Sequence, residues 1–370
     1  VIVTVTPNPS LDLTYLLPAG GNGLNDPTVE VHRADSATLE ASGKGVNVSR
    51  ALTLAGRSST AVLFAGGATG HQLLDLLAAE RVPYRTVLQA GPTRVNTTVL
   101  TAGAGTTKVN APGTAPTPDE IDNLVVAVDN ELITLSSEVF VRNASSRRID
   151  PEGWLLICGS LPPGVDAGKL IGRLVGLARA KGWRVAVDSS GAGLSAGFEA
   201  GADLLAPNGA ELNAVRPGPP AVGTDAIILA AAEVARERGC ELLVSLGAEG
   251  ALWTDGRRAL HAKGPAVVPV NSAGAGDALL AGWFCADPGV DPAVRLATAV
   301  AWGTAACLVP TTVAVGGTPP AVDEILVVER LTEPLSAGPE PAETGLSEPG
   351  LASRTGIAES RPAEQQEAPP

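Results

Sequence analysis

The segment Asn271-Ser-Ala-Gly-Ala-Gly-Asp277 leads straight into a helix-like stretch, Ala275–Cys285. Gly274, Ala275 and Gly276 are small enough for backbone N–H groups to converge at a helix N-terminus. Orphan donors and the helix dipole together make an anion site there. Asp277 lies in or beside that first turn. A carboxylate next to an anion hole suits one task well. It can take a proton from an attacking hydroxyl while the amides hold charge on a transferred phosphoryl group. An ordinary acidic residue in a first helical turn would look the same, and the segment alone leaves the two readings level.

Four further segments carry candidate chemistry. In Ser42-Gly-Lys-Gly-Val-Asn-Val-Ser49, Gly43 and Gly45 allow close approach of a ligand. Lys44 adds positive charge and Asn47 a donor–acceptor pair, a combination suited to a ligand with hydroxyls. Gly159-Ser-Leu-Pro-Pro-Gly164 follows a strand-like run, where Ser160 can offer a hydroxyl at the carboxyl end of a sheet. Taken alone, a strand-ending turn explains it more simply. In Pro207-Asn-Gly-Ala-Glu211, Asn208 and Glu211 share a face of one helical turn and could hold a hydrated Mg²⁺. Ser245-Leu-Gly-Ala-Glu-Gly250 ends another strand with glycines able to lie against a nucleotide.

Other chemistries lack their residues. The chain has no G-x-x-x-x-G-K-[ST], no H-E-x-x-H, no G-x-S-x-G and no complete G-x-G-x-x-G, and its three histidines are scattered. A zinc site is not expected. The formal charge of −13 argues against nucleic acid or an anionic membrane as partner. No apolar run approaches the ~18 residues of a membrane helix. The start, VIVTVTPNPS, has neither a basic nor a hydrophobic leader region, so no secretory signal is expected. Position 1 is Val and no Met occurs, which implies a non-standard start codon or a trimmed start. The four cysteines form no C-x-x-C pair and read as reduced thiols of a cytoplasmic protein.

The elements that must position these segments alternate. Strand-like runs at Val1–Thr6, Thr60–Ala65, Trp154–Cys158, Arg184–Asp188, Asp203–Ala206 and Glu241–Leu246 are separated by helix-like stretches. These stretches are Lys44–Ala55, His71–Glu80, Asp119–Leu135, Gly168–Lys181 and Asp225–Arg238, with Ala275–Cys285 and Pro292–Leu308 to close. Near-continuous apolar strands between amphipathic helices predict a parallel sheet covered on both faces. Val29–Ala41 and Thr93–Val109 instead show partial alternation, which predicts a small, half-exposed antiparallel sheet, a lid. Asn143–Gly153 reads as a surface loop, and Gly20–Pro27 as a loose segment. Residues 1–332 form one α/β domain in this reading, with lid strands within about 12–41 and 93–110. From Glu333 to Pro370, seven Pro and seven Glu stand against two Arg, which predicts a disordered tail. The chain's 43 Gly and 30 Pro exceed the usual share of about 12%; Gly serves the ligand loops and Pro is dense in the tail.

In this order the segments resemble the pfkB (ribokinase-like) family of carbohydrate kinases, closest to its 1-phosphofructokinase/tagatose-6-phosphate kinase branch. The matching residues are Thr4-Val-Thr-Pro-Asn-Pro-Ser-Leu-Asp12, Gly43-Lys-Gly-Val-Asn47, Gly159-Ser-Leu-Pro-Pro-Gly164, Asn208-x-x-Glu211, Ser245-Leu-Gly-x-x-Gly250 and Gly274-Ala-Gly-Asp277. The resemblance covers about residues 1–332. It implies a ribokinase-like sheet flanked by helices with a small β-sheet lid. It implies ATP and Mg²⁺, with fructose 1-phosphate converted to fructose 1,6-bisphosphate. Tagatose 6-phosphate or fructose 6-phosphate is the alternative acceptor, and a non-catalytic sugar-phosphate sensor the remote one. By the likeness Asp277 is the general base and Gly274, Ala275 and Gly276 the anion hole. Asp12, Gly43, Lys44 and Asn47 would hold sugar hydroxyls. Arg94 and Lys108, helped by Ser160 and Arg33, would face the phosphate already on the substrate. Asn208, Glu211, Ser245, Gly247 and Gly250 would line the nucleotide side, with Glu211 reaching Mg²⁺ through water and Gly303 near the adenine. A second copy of the chain would dock through the lid. Three positions depart from the family pattern: Ser42 where Gly is frequent, Ala206 where Lys is frequent, and Ala111 where an acid is common.

Overall fold

The computed structural model describes residues 1–18, 31–101, 105–143, 153–287, 289–313, 324–330 and 332. The expected loose segment Gly20–Pro27 and the expected tail beyond residue 332 lie outside them. Val1–Pro334 forms one compact unit.

The chain opens with β1 (Ile2–Thr6), β2 (Ser10–Leu17), β3 (Ser36–Ser42), α1 (Lys44–Leu54), β4 (Ser59–Ala65), α2 (Gly67–Ala79) and β5 (Tyr84–Leu88). There follow β6 (Arg94–Thr101), β7 (Gly105–Val109), α3 (Pro118–Asn143), β8 (Trp154–Cys158), α4 (Ala167–Ala180), β9 (Arg184–Asp188), α5 (Ala192–Glu199) and β10 (Leu204–Leu205). The last elements are α6 (Gly209–Val215), α7 (Thr224–Arg238), β11 (Glu241–Ser245), β12 (Ala251–Thr254), β13 (Ala259–Lys263), α8 (Ala275–Cys285), α9 (Pro292–Cys307) and β14 (Leu326–Arg330).

Ten strands form the large sheet, in the order β14-β13-β12-β11-β10-β9-β8-β1-β4-β5. From β11 to β5 neighbours run parallel, whereas β12, β13 and β14 are antiparallel. The expectation of a parallel sheet therefore holds for its centre and fails at one edge. For β12 and β13 the reason is connection length. β11, β12 and β13 are joined by turns of five and four residues, too short for the crossover that parallel strands need. Residues of β8 show how an unbroken apolar run serves two faces. Leu155 and Ile157 join the core with α3 and α4, while Trp154, Leu156 and Cys158 join the core with α8 and α9.

The small sheet has the order β3-β2-β6-β7, with β2 parallel to β6 and both outer pairs antiparallel. Its two expected stretches are recovered in altered form. Val29–Ala41 yields strand only from Ser36, with residues 29 and 30 outside the described set. Thr93–Val109 splits into β6 and β7. The expected loop at Asn143–Gly153 begins at the end of α3, and its residues 144–152 are not among those described. β2 falls largely within the expected lid bounds of about 12–41 but begins earlier, at Ser10, and its buried positions do not alternate cleanly. Leu11, Ala41, Val46, Leu63 and Leu73 form a separate core beneath this sheet.

Topology places the ligand crevice. β1 lies centrally, and the chain leaves it toward β4 and β5 on one side and toward β8 on the other. Loops at the carboxyl ends diverge at such a switch point and open a cleft. Helix α8, whose start lines that cleft, packs closely on α9. A Cβ on Gly282 would lie 2.8 Å from Ala299 Cα and 2.9 Å from the Thr298 carbonyl. Among the described residues no helix is long and apolar enough to cross a membrane.

Gly282→Ala gains about 1 kcal/mol of helix propensity but meets main chain, which cannot rotate aside. Overpacking costs about 1–3 kcal/mol and should win here. The midpoint of urea unfolding is expected to fall; an unchanged or higher midpoint would show that α8 and α9 can part freely.

Candidate active site

Loops from both sheets enclose a cavity of about 520 Å³, within the usual range for small-molecule sites. Its floor is the start of α8. Gly274 caps this helix at φ 78, with no side-chain cap. That left-handed backbone favours glycine, and a Cβ would also collide with the carbonyl oxygen of Thr312. Gly274 and Gly276 line the cavity. Ala275 does not, and its N–H points back to the Ser272 carbonyl at 3.4 Å.

Asp277 follows in the first turn, 7% exposed. Asn47 Nδ2 donates to its Oδ2 at 2.8 Å. Burial, and then the negative charge of Asp188, push the Asp277 carboxyl up to about 7, against the opposing pull of Lys44. Lys44 Nζ bonds Asp188 Oδ1 at 2.6 Å. Burial alone would lower the Lys44 ammonium, but Asp188 and then Asp277 outweigh it and raise it above the ordinary lysine value. Gly43 delivers both Lys44 and Asn47. At φ 117 a Cβ there would press on Thr6 Cγ2 at 2.9 Å and Pro9 Cα at 3.0 Å.

The small sheet forms the opposite wall. Asp12 accepts from Ser10 Oγ (2.8 Å), Asn96 Nδ2 (3.0 Å) and Ser42 Oγ (2.7 Å). Arg94 donates through Nη1 to the Ala111 carbonyl at 2.9 Å and through Nη2 to the Asn8 carbonyl at 2.8 Å. Ser160 Oγ lies 3.4 Å from the same Nη2. Arg94 Nε is buried without a partner, and burial lowers its guanidinium below the ordinary value. Lys108, opposite Thr98 in the ladder, also lines the cavity.

At the far end Asn208, Glu211 and Ser245 line the wall. Asn208 and Glu211 form a capping box for α6. Asn208 Oδ1 accepts the Glu211 N–H and Glu211 Oε2 accepts the Asn208 N–H, both at 2.9 Å. Gly247 and Gly250 stand back from the wall, in the turn from β11 to β12. A Cβ on Gly250 would strike the Ala262 carbonyl, so this glycine serves the hairpin. Gly303 lies on α9, where a Cβ would sit 3.2 Å from the Ala275 carbonyl; it lets α9 approach α8. Arg33 is exposed in the segment before β3 and is not on the wall.

Several lining residues carried no expectation: Asn8, Ser10, Asn96, Thr312 and above all Asp188. Asp188 had a readable signal. It ends an apolar run and precedes Ser-Ser-Gly, the same pattern that marks Gly159 and Ser245. Among the described residues no group of three or more His, Cys, Asp or Glu is placed to hold a metal ion.

A buried carboxyl at an open helix start, with basic residues in the same polar cavity, is an arrangement suited to phosphoryl transfer onto a small-molecule hydroxyl. The sequence profile of the pfkB family carbohydrate kinases matches residues 22–307, and the chain belongs to that family, as an ATP-dependent sugar kinase. It is 36% identical over 290 residues to a 1-phosphofructokinase of Haloferax volcanii, covering 77% of this chain and 84% of that one. It is 34% identical over 282 residues to the ATP-dependent 6-phosphofructokinase isozyme 2 of Escherichia coli, covering 75% and 83%. Among solved structures, phosphofructokinase-2 of Escherichia coli in complex with fructose-6-phosphate superposes with a TM-score of 0.69. That match has 32% identity over 83% of this chain and 93% of the other.

The charges around Asp277 predict opposite responses to two substitutions. Lys44→Met removes the charge that favours ionisation, so the Asp277 carboxyl should titrate above about 7. Asp188→Asn removes the charge that opposes ionisation, so it should titrate lower. Carbon-13 NMR of the labelled carboxyl measures both; a shift of the same sign in the two variants would refute this assignment.

Proposed function

We propose that the chain transfers the γ-phosphoryl group of ATP to the 6-hydroxyl of fructose 1-phosphate, giving fructose 1,6-bisphosphate and ADP. The observation that carries this reading is the separation of two anion seats in one cavity. The open start of α8 lies beside Asp277, and the basic wall of Arg94 and Lys108 lies beyond Asp12. A monophosphorylated sugar bridging them would present its free hydroxyl to Asp277. Relatives named 1-phosphofructokinase favour the 1-phosphate. The similarity to a 6-phosphofructokinase keeps fructose 6-phosphate, with tagatose 6-phosphate, as the second reading.

In this mechanism Asp277 takes the proton of the acceptor hydroxyl. The freed oxygen attacks the γ-phosphorus, and the bond from that phosphorus to the bridging oxygen of ADP breaks. Amides around Gly274 and Gly276 hold charge on the phosphoryl oxygens. Asn47 Oδ1, buried without a partner, accepts a sugar hydroxyl, and Asp12 accepts another. Arg94 Nε, likewise unpartnered, donates to the resident phosphate, with Lys108 and Ser160 beside it. Asn208, Glu211 and Ser245 face the nucleotide. Mg²⁺ carried with the nucleotide would be held through water by Glu211 and would offset phosphate charge. The donor set fits that role, since a lone carboxylate engaged in a helix cap suits a hydrated ion better than a direct ligand cage. The reaction would run in the cytoplasm, a setting that the four free cysteines support. A second copy would dock on the small sheet, whose edge strand β7 is exposed throughout.

Purified protein with Mg-ATP should release ADP with fructose 1-phosphate at a higher kcat/KM than with fructose 6-phosphate or tagatose 6-phosphate. Absence of turnover with all three would sink the reading, and a clear preference for a 6-phosphate would select the second one.

Asp277→Asn should lower kcat by roughly 10²–10⁴-fold while ATP binding, measured by calorimetry, persists. In the wild type, a base that ionises near pH 7 must lose its proton to act. Thus kcat/KM should fall about tenfold per unit below that pH and level off above it. A flat profile from pH 5 to 8 would remove Asp277 from the role.

A further inference from the structure

One ion cluster is buried outside the reaction just described. Arg50, on α1, is 1% exposed. Its Nε donates to Glu80 Oε2 at 2.6 Å, and its Nη2 to Glu80 Oε1 at 2.7 Å and Glu40 Oε1 at 3.1 Å. Its Nη1 donates to the Ala41 carbonyl at 2.7 Å and to Thr312 Oγ1 at 3.2 Å. Glu40, on β3, is 6% exposed. Its Oε2 accepts the Thr312 backbone N–H at 3.0 Å. The cluster therefore joins α1, the end of α2, β3 and the stretch that follows α9.

Thr312 is the member that touches the site. It lines the cavity, and its carbonyl oxygen lies where a Cβ on Gly274 would be. The other attachments lead to the site as well. Arg50 follows Asn47 by one turn on the helix that carries Lys44. Glu40 precedes Ser42, which bonds Asp12. Stability alone is a weak reason for such a cluster. Apolar residues of similar volume often replace a buried ion pair without loss, because desolvation offsets the attraction. What the charges supply is a fixed direction: Glu40 can hold the Thr312 N–H in one place only.

We propose that Arg50 and Glu40 are positioning residues for phosphoryl transfer, a pair that seats the Thr312 main chain against Gly274. They thereby fix the start of α8 relative to Lys44 and Asn47. This inference rests on the kinase reading above. A misplacement of about 1 Å at an anion hole can cost on the order of 10²-fold in rate, whereas the phosphate already on the sugar, the substrate's main ground-state anchor, is held by Arg94 and Lys108 on the opposite wall.

The test compares Glu40→Ala, Glu40→Gln and Thr312→Val with the wild type, each first checked for folding by circular dichroism. Glu40→Ala should lose roughly 10–100-fold in kcat with the KM for fructose 1-phosphate changed less than about threefold. Glu40→Gln keeps an acceptor oxygen and should recover most of that loss. The affinity of ADP with aluminium fluoride, which mimics the phosphoryl group in transfer, should weaken in step with kcat, while ADP alone binds as before. A merely structural role would leave these ratios unchanged. Folded Glu40→Ala with wild-type kcat overturns the inference. Should Glu40→Ala not fold, Thr312→Val, which spares both ion pairs, decides the matter. A several-fold loss of kcat at constant KM supports the inference and an unchanged kcat overturns it. Wild-type protein that turns over none of the three hexose phosphates overturns the kinase reading, and this inference with it.

Discussion

Like charges must be gathered into one cavity, and the rest of the site is arranged around that constraint. Asp277 is buried, Asp188 raises its carboxyl, and Asp12 adds to the same effect. Lys44 is the compensating charge, held by Asp188 at 2.6 Å. A carboxyl raised to about 7 binds a proton more readily folded than unfolded. It therefore contributes stability at low pH, and that contribution is lost as pH rises from the unfolded value through about 7. At the pH where Asp277 is ionised, the fold bears the full cost of a buried anion. The raised carboxyl and its cost to the fold thus have one origin, burial beside another carboxylate.

Glycine makes the gathering feasible. Gly43 and Gly274 adopt positive φ values of 117 and 78 where two helix starts converge. In both places a side chain would meet main chain, of Pro9 and Thr312 respectively. Neither α1 nor α8 has a side-chain cap; in α8 the Ala275 N–H turns back to Ser272, while Gly274 and Gly276 line the cavity. α9 differs: Asp291 accepts from the Ala293 N–H at 2.8 Å, and that helix start is closed to a ligand.

How much of this was legible depended on range. Strands β8 and β9 and helix α8 coincide with their expected limits, because apolar runs and Gly-rich starts are local signals. β12 and β13 were not legible: four and five mostly buried residues carry no periodicity that separates strand from buried helix. Gly250 and Gly303 resemble ligand glycines in sequence, yet a Cβ on either would meet main chain, of Ala262 and Ala275 respectively. A glycine's spelling does not reveal what approaches it. The Arg50–Glu40–Thr312 cluster spans 272 positions between Glu40 and Thr312. No local pattern could have joined them. Asp188 was readable in principle, by the rule for strand carboxyl ends that found its neighbours.

The departures from the family pattern acquire meaning from the same geometry. Ser42, in place of a frequent glycine, donates to Asp12 at 2.7 Å and lines the cavity beside it. Ala206 lines the cavity without charge, which leaves Lys44 and the start of α8 as the cationic groups nearest Glu211's end of the site. At Ala111 it is the main chain that matters. Its carbonyl accepts from Arg94 at 2.9 Å and its N–H donates to Asn96 Oδ1 at 3.2 Å. A change of side chain at that position leaves both bonds available. The guanidinium is thus oriented by two backbone carbonyls, Ala111 and Asn8, rather than by a carboxylate. Carbonyls fix its direction without neutralising its charge, and the Asp12 carboxylate is the anion whose field acts on it.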